Sequence, residues 1–190
     1  MKKLICLMAL SGAALLSNAH AATVFSDNHS GLGALASPGQ ITDTFTASAG
    51  AALLSFEIQG YASLDGANDY ADLFKLSVNG TTLLTGSWDL GGGGANVIYL
   101  NPNNATVNAQ TNGAFSGGKA SVYIPIALLS GLNSITYSYS GNAQGLGDEG
   151  WGINAVNVST VPEPGTYAML LAGLGLVGFM TRRKAAKKAA

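Results

Sequence analysis

Apolar and polar side chains alternate with a strict period of two along most of this chain, and that alternation constrains its fold more than any other feature. Leu54, Phe56 and Ile58 alternate with Ser55, Glu57 and Gln59, and Phe74, Leu76 and Val78 with Lys75 and Ser77. Ala120, Val122, Ile124 and Ile126 alternate with Ser121, Tyr123 and Pro125, and Ile135, Tyr137 and Tyr139 with Thr136, Ser138 and Ser140. A period of two is the signature of strands with one buried and one wet face. Shorter candidates lie at Thr42–Ala47, Leu83–Ser87, Val97–Leu100, Thr106–Gln110 and Ile153–Ser159. Asn79 and Gly80 tolerate positive φ, so the pair predicts a tight hairpin turn. Pro125 cannot donate to a ladder, which predicts an edge or a bulge there. Between residues 22 and 161 only Ala127–Leu132 offers a helical turn. Eight or nine short strands with Gly- and Asn-rich turns predict an all-β, two-sheet antiparallel sandwich of jelly-roll type, with a meander barrel as the alternative.

Both ends of the chain read differently. Lys2 and Lys3, the apolar run Leu4–Leu16 and the small-x-small site Ala19-His20-Ala21 have the form of a secretory signal peptide, residues 1–21, with signal peptidase cutting before Ala22. Cys6, the only cysteine, lies inside it, so no disulfide is expected in the mature protein. A single domain is expected over residues 22–161, followed by a tail over residues 162–190. The domain carries nine acids against two bases, Lys75 and Lys119, and no arginine. Such a surface argues against nucleic acid and suits an extracellular protein or one that holds a divalent cation.

The tail runs from a rigid hinge, Pro162-Glu163-Pro164, through an uncharged apolar run, Tyr167–Met180, to Arg182, Arg183, Lys184, Lys187 and Lys188. A helix over residues 165–181 would reach about 25 Å, the short end of what spans a bilayer. Its basic end would stay cytoplasmic. This order of parts resembles the PEP-CTERM sorting signal of Gram-negative bacteria, a tail also known as an ice-binding-protein C-terminal domain. The resemblance implies export through the inner membrane and transient anchoring by the tail. It further implies cutting near the Pro-Glu-Pro element by an exosortase-type membrane peptidase, then release or display at the cell surface. Such proteins often accompany exopolysaccharide and biofilm production.

Two stretches within the domain stand out. One is Asp65-Gly-Ala-Asn-Asp-Tyr-Ala-Asp72 with the following LFKLSVNG; the other is Gly147-Asp-Glu-Gly-Trp-Gly-Ile-Asn154. Together they resemble the acidic loops of calcium- and sugar-binding β-sandwich modules of secreted bacterial proteins, although Asn154 stands where such a module often has Asp. Read on their own chemistry, Asp65, Asn68, Asp69 and Asp72 put four oxygen-bearing side chains within eight residues. Asp148 and Glu149 would join them if the loops meet. Calcium takes six to eight oxygens, which these groups could help supply. The alternative is that they only form turns. Asp43 reads as a solvated strand-face residue.

Trp88, Trp151 and Tyr70 are candidates to stack on sugar rings, with core packing as the alternative for the tryptophans. The glycine run Gly91–Gly94 is a loop and lacks the Lys-Ser/Thr of a phosphate loop. His29, the domain's one histidine, falls in a segment read as loose, which argues against a catalytic triad. Zinc sites normally draw on several His or Cys ligands. No catalytic residue is assigned. The threonines form no repeated ladder, which argues against ice binding. The expected function is therefore non-enzymatic: binding or organising extracellular polysaccharide, with calcium as the candidate cofactor. The alternative is a purely structural surface protein.

Overall fold

The computed structural model describes residues 21–29, 31–141, 145–161 and 170–180. Thr23–Thr160 form one compact unit of eleven strands in two antiparallel sheets. Within the first sheet, β1 (Thr23–Asp27), β11 (Glu149–Thr160), β4 (Gly50–Ala62), β9 (Gly118–Leu128) and β8 (Thr106–Thr111) lie side by side. The short β2 (Leu35–Ala36) also pairs with β11. The second sheet runs β3 (Gly39–Ala47), β10 (Gly131–Ser140), β5 (Leu73–Val78), β6 (Thr81–Ser87), β7 (Val97–Leu100).

The alternating positions supply the core. Leu54, Phe56 and Ile58 of β4 and Val122 and Ile124 of β9 meet Phe74 and Leu76 of β5 and Ile135 and Tyr137 of β10. Ring contacts cross between the sheets from Phe56 to Phe74 and Tyr137, at 6.0 and 5.0 Å between centroids. Trp151, fully buried, lies 5.4 Å from Tyr139 and donates its indole N–H to the Ala36 carbonyl at 3.1 Å. Burying such rings is a large part of what holds the sheets together.

Several local expectations take specific form. Asn79 and Gly80 turn β5 into β6 with φ of 50° and 78°. Pro125 sits in β9, between β4 and β8 in sheet order. The β8 ladder ends at Thr106 opposite Tyr123, so Pro125 lies beyond it, and its carbonyl accepts from the Asn103 side chain instead. Residues 127–132 form no helical turn; β9 and β10 run through them as a hairpin. Near the end of β11 a bulge at Asn154–Asn157, with Ala155 at φ 51°, shifts the inward phase from Trp151 and Ile153 to Val156 and Val158.

Ala19, Pro162, Glu163, Pro164, Arg182 and Arg183 lie outside the described residues. Of the expected tail helix, residues 170–180 are described and helical. Among the described residues no helix is long and apolar enough to cross a membrane.

Candidate functional site

The inward register that builds the core also carries three acids inside. Asp72 precedes Phe74, Leu76 and Val78 in the buried phase leading into β5, and Glu149 precedes Trp151 and Ile153 in that of β11. Asp65 lies in the β4–β5 loop, held inside by the fully buried Leu64 before it. Asp65, Asp72 and Glu149 are 6%, 0% and 1% exposed, and each offers a carboxylate oxygen within 4.8 Å of the others.

The surrounding backbone fixes this cluster. Leu64 O accepts from Leu90 N at 3.0 Å and Gly92 N at 3.1 Å, and Gly66 N donates to Gly93 O at 2.8 Å. Asp89 Oδ1 accepts from Gly91 N and Gly93 N at 3.0 and 2.9 Å and so shapes the glycine run. Glycine is needed at residue 92, because a Cβ there would lie 2.6 Å from the Asp65 carboxylate. A Cβ on Gly141 would likewise collide with Asp72 Oδ1. Ser63 ties the third segment in, donating its N–H to Asp148 O and its hydroxyl to Asp148 Oδ1, both at 2.8 Å.

Neither Asp65 nor Asp72 forms an ion pair among the described residues. Asp72 Oδ1 is buried with no hydrogen-bond partner among them. Burial raises the Asp72 carboxyl from 3.8 to about 6; the Asp65 backbone N–H lowers it and the Asp65 charge raises it. Asp65 is raised too, first by burial, against the Asn68 hydrogen bond and with the charges of Asp148 and Asp89. The buried Tyr139 phenol is pushed above its ordinary value by desolvation and by the Asp72 charge. Buried carboxylates this close resist sharing negative charge unless a proton or a cation lies among them.

Of the six residues expected at a calcium site, the fold brings three carboxylates together: Asp65, Asp72 and Glu149. Asn68 supports them from outside, donating Nδ2 to Asp65 Oδ1 at 2.7 Å while its Oδ1 accepts from Tyr70 N at 2.7 Å. Asp69 points to solvent. Asp148 is engaged by Ser63 and adds its charge near Asp65. Trp88 and Trp151, at 2% and 0% exposure, are core residues, whereas Tyr70 on the acidic loop is 62% exposed.

Two residues read otherwise from sequence also belong to a built cluster. Asp43 is no solvated strand-face residue: it faces inward between Ile41 and Phe45 at 7% exposure. His29 is not loose, since its ring is held between Asp43 Oδ1 at 2.8 Å and Ile153 O at 3.1 Å. The signal was present in the Ile41-x-Asp43-x-Phe45 phase, which places an acid in an apolar row.

Residues 160–184 match the PEP-CTERM protein-sorting motif. That motif implies export, membrane-anchored sorting and processing by an exosortase-type peptidase. A search of curated proteins finds no match. Among solved structures, the chain is similar to a family 35 carbohydrate-binding module from an environmental isolate, at 16% identity and a TM-score of 0.38, over 77% of this chain and 91% of the module. It is similar to Xyl-CBM35 in complex with a glucuronic acid containing disaccharide, at 19% identity and a TM-score of 0.33, over 75% and 90% of the two chains. It is also similar to latent PorU from Porphyromonas gingivalis, at 16% identity and a TM-score of 0.40; there it covers 64% of this chain and only 10% of PorU.

Proposed function

We propose that this chain, which carries a PEP-CTERM sorting motif, is an exported, non-enzymatic surface protein whose β-sandwich binds extracellular polysaccharide with the help of calcium. In this reading its C-terminal tail is a transient membrane anchor. The buried convergence of Asp65, Asp72 and Glu149 carries the reading. An all-oxygen cluster of carboxylates suits a hard cation, with backbone oxygens and water completing the shell. A calcium ion there would offset two of the cluster's three negative charges and stiffen the Asp65–Asp72 loop. That loop presents the exposed ring of Tyr70, which is placed to stack on a sugar face.

The test is retention of the full chain, in neutral detergent, on the polysaccharide made by its own host. Saturable retention that needs calcium and is lost in Asp72→Asn supports the proposal. Absence of retention, with calcium still bound, leaves a structural surface protein whose ion only braces the fold.

A further inference from the structure

We propose that His29, Asp43 and Asp27 form a second cation site, separate from the acidic loop and built for a divalent transition ion such as Zn²⁺. The argument begins at the imidazole. Nδ1 of His29 lies 3.1 Å from the Ile153 carbonyl, which can only accept, so Nδ1 carries a proton. Nε2 faces Asp43 Oδ1 at 2.8 Å and Asp27 Oδ2 at 3.9 Å. With the proton on Nδ1, a neutral ring aims its Nε2 lone pair at two carboxylates. The three groups then need a cation between them, either a second proton or a metal ion.

Three observations favour the metal. The ligand atoms of all three residues lie within 4.8 Å of one another. The Ile153 carbonyl fixes the tautomer and orients the ring, the support that metal-binding histidines usually receive. A recess of about 110 Å³ opens beside the ring, lined by His29, Leu32, Tyr61 and Asn154 among others, and gives water or a fourth ligand a way in.

The donor set separates this site from the first. One imidazole nitrogen with two carboxylates suits zinc or another transition ion, whereas calcium takes oxygen ligands. The ligands also come from separate parts of the sandwich. Asp27 ends β1 in the first sheet, Asp43 lies in β3 of the second, and His29 is anchored to β11 through Ile153. A bound ion would tie the N-terminal strand and both sheets at one point. Asp27 is already set for this, because its Oδ1 accepts from His29 N at 2.8 Å.

The experiment is a Zn²⁺ titration of the full chain in neutral detergent, by calorimetry, with millimolar calcium present to fill the acidic loop. Co²⁺ absorption reports the geometry in parallel. One equivalent should bind and give a tetrahedral cobalt spectrum. His29→Ala and Asp43→Asn should each weaken binding on the order of 100-fold, at least as much as losing an outer-sphere partner costs. Asp72→Asn and His20→Ala should leave it unchanged. If either site variant fails to fold, nitrogen hyperfine coupling in the Cu²⁺ spectrum of the His20→Ala protein decides, since His29 is then its only histidine. Absent coupling, no Zn²⁺ binding, or binding indifferent to His29 would overturn the proposal and leave a second proton as the cation.

Discussion

Asp65 and Asp72 close their loop on each other: Asp65 N donates to Asp72 Oδ2 at 3.0 Å, and Asp72 N donates to Asp65 O at 3.3 Å. This reciprocal pair holds two carboxyl groups together inside the protein although their charges repel. The acids therefore shape the loop and also burden it, which makes the burden measurable.

Without a divalent cation, the domain should lose stability as pH rises through the window from about 4 to about 6. Asp72 is raised from 3.8 to about 6 in the folded protein, so in that window the folded state binds more protons than the unfolded one. Stability falls with pH wherever that holds. A shift of roughly 2 units corresponds to about 3 kcal/mol. Melts in EDTA at pH 4.5 and pH 7 should show the higher midpoint at the lower pH; an equal or reversed order would show that Asp72 ionises freely.

Calcium should reverse that order. At about 100 times its dissociation constant a ligand of the folded state adds ~2.7 kcal/mol, or roughly 5 to 10 °C for a domain of this size. Asp72→Asn should abolish the calcium shift. In EDTA at pH 7 the same variant should melt above the wild type, because it removes a buried charge and keeps an acceptor for Asp65 N. A variant less stable than wild type in EDTA would point to an ordinary structural carboxylate.

Gly141→Ala should disturb the cluster without replacing a ligand. The new methyl meets Asp72 Oδ1, and overpacking of this kind costs about 1–3 kcal/mol. Gly147→Ala, in the same β10–β11 connection, has nothing within 4 Å and serves as the control. Calcium affinity should fall in the first variant and hold in the second.

The aromatic residues should separate by role. Trp151→Ala removes a fully buried side chain and should cost about 3–5 kcal/mol. Tyr70→Ala, at an exposed position, should leave the midpoint within about 0.5 kcal/mol and reduce retention on polysaccharide. A Tyr70 variant that binds as well as wild type would exclude stacking by this ring.

Replacing Pro162, Glu163 and Pro164 with alanines should leave the chain uncut in the membrane fraction, where immunoblotting would find it at its full length. Release at the usual size would show that cleavage does not depend on this element.

The strand pattern, the Asn79-Gly80 turn and the sorting tail are legible in the sequence, because each depends on neighbours within a few residues. Period two places Asp43, Asp72 and Glu149 in the buried phase of their strands, so even their burial is written locally. Which acids meet depends on how distant strands pair. Asp65 and Asp72 lie far from Glu149 in sequence, and β11 beside β4 is what brings Glu149 to them. The tertiary arrangement also sets His29, just after β1, against Ile153 of the neighbouring β11 and Asp43 of β3 in the other sheet, which no local pattern encodes. It also settled that Trp88 and Trp151 serve the core: an indole beside an acidic loop looks the same in sequence whether it faces water or the opposite sheet, and the sheet that covers it is built from residues elsewhere in the chain.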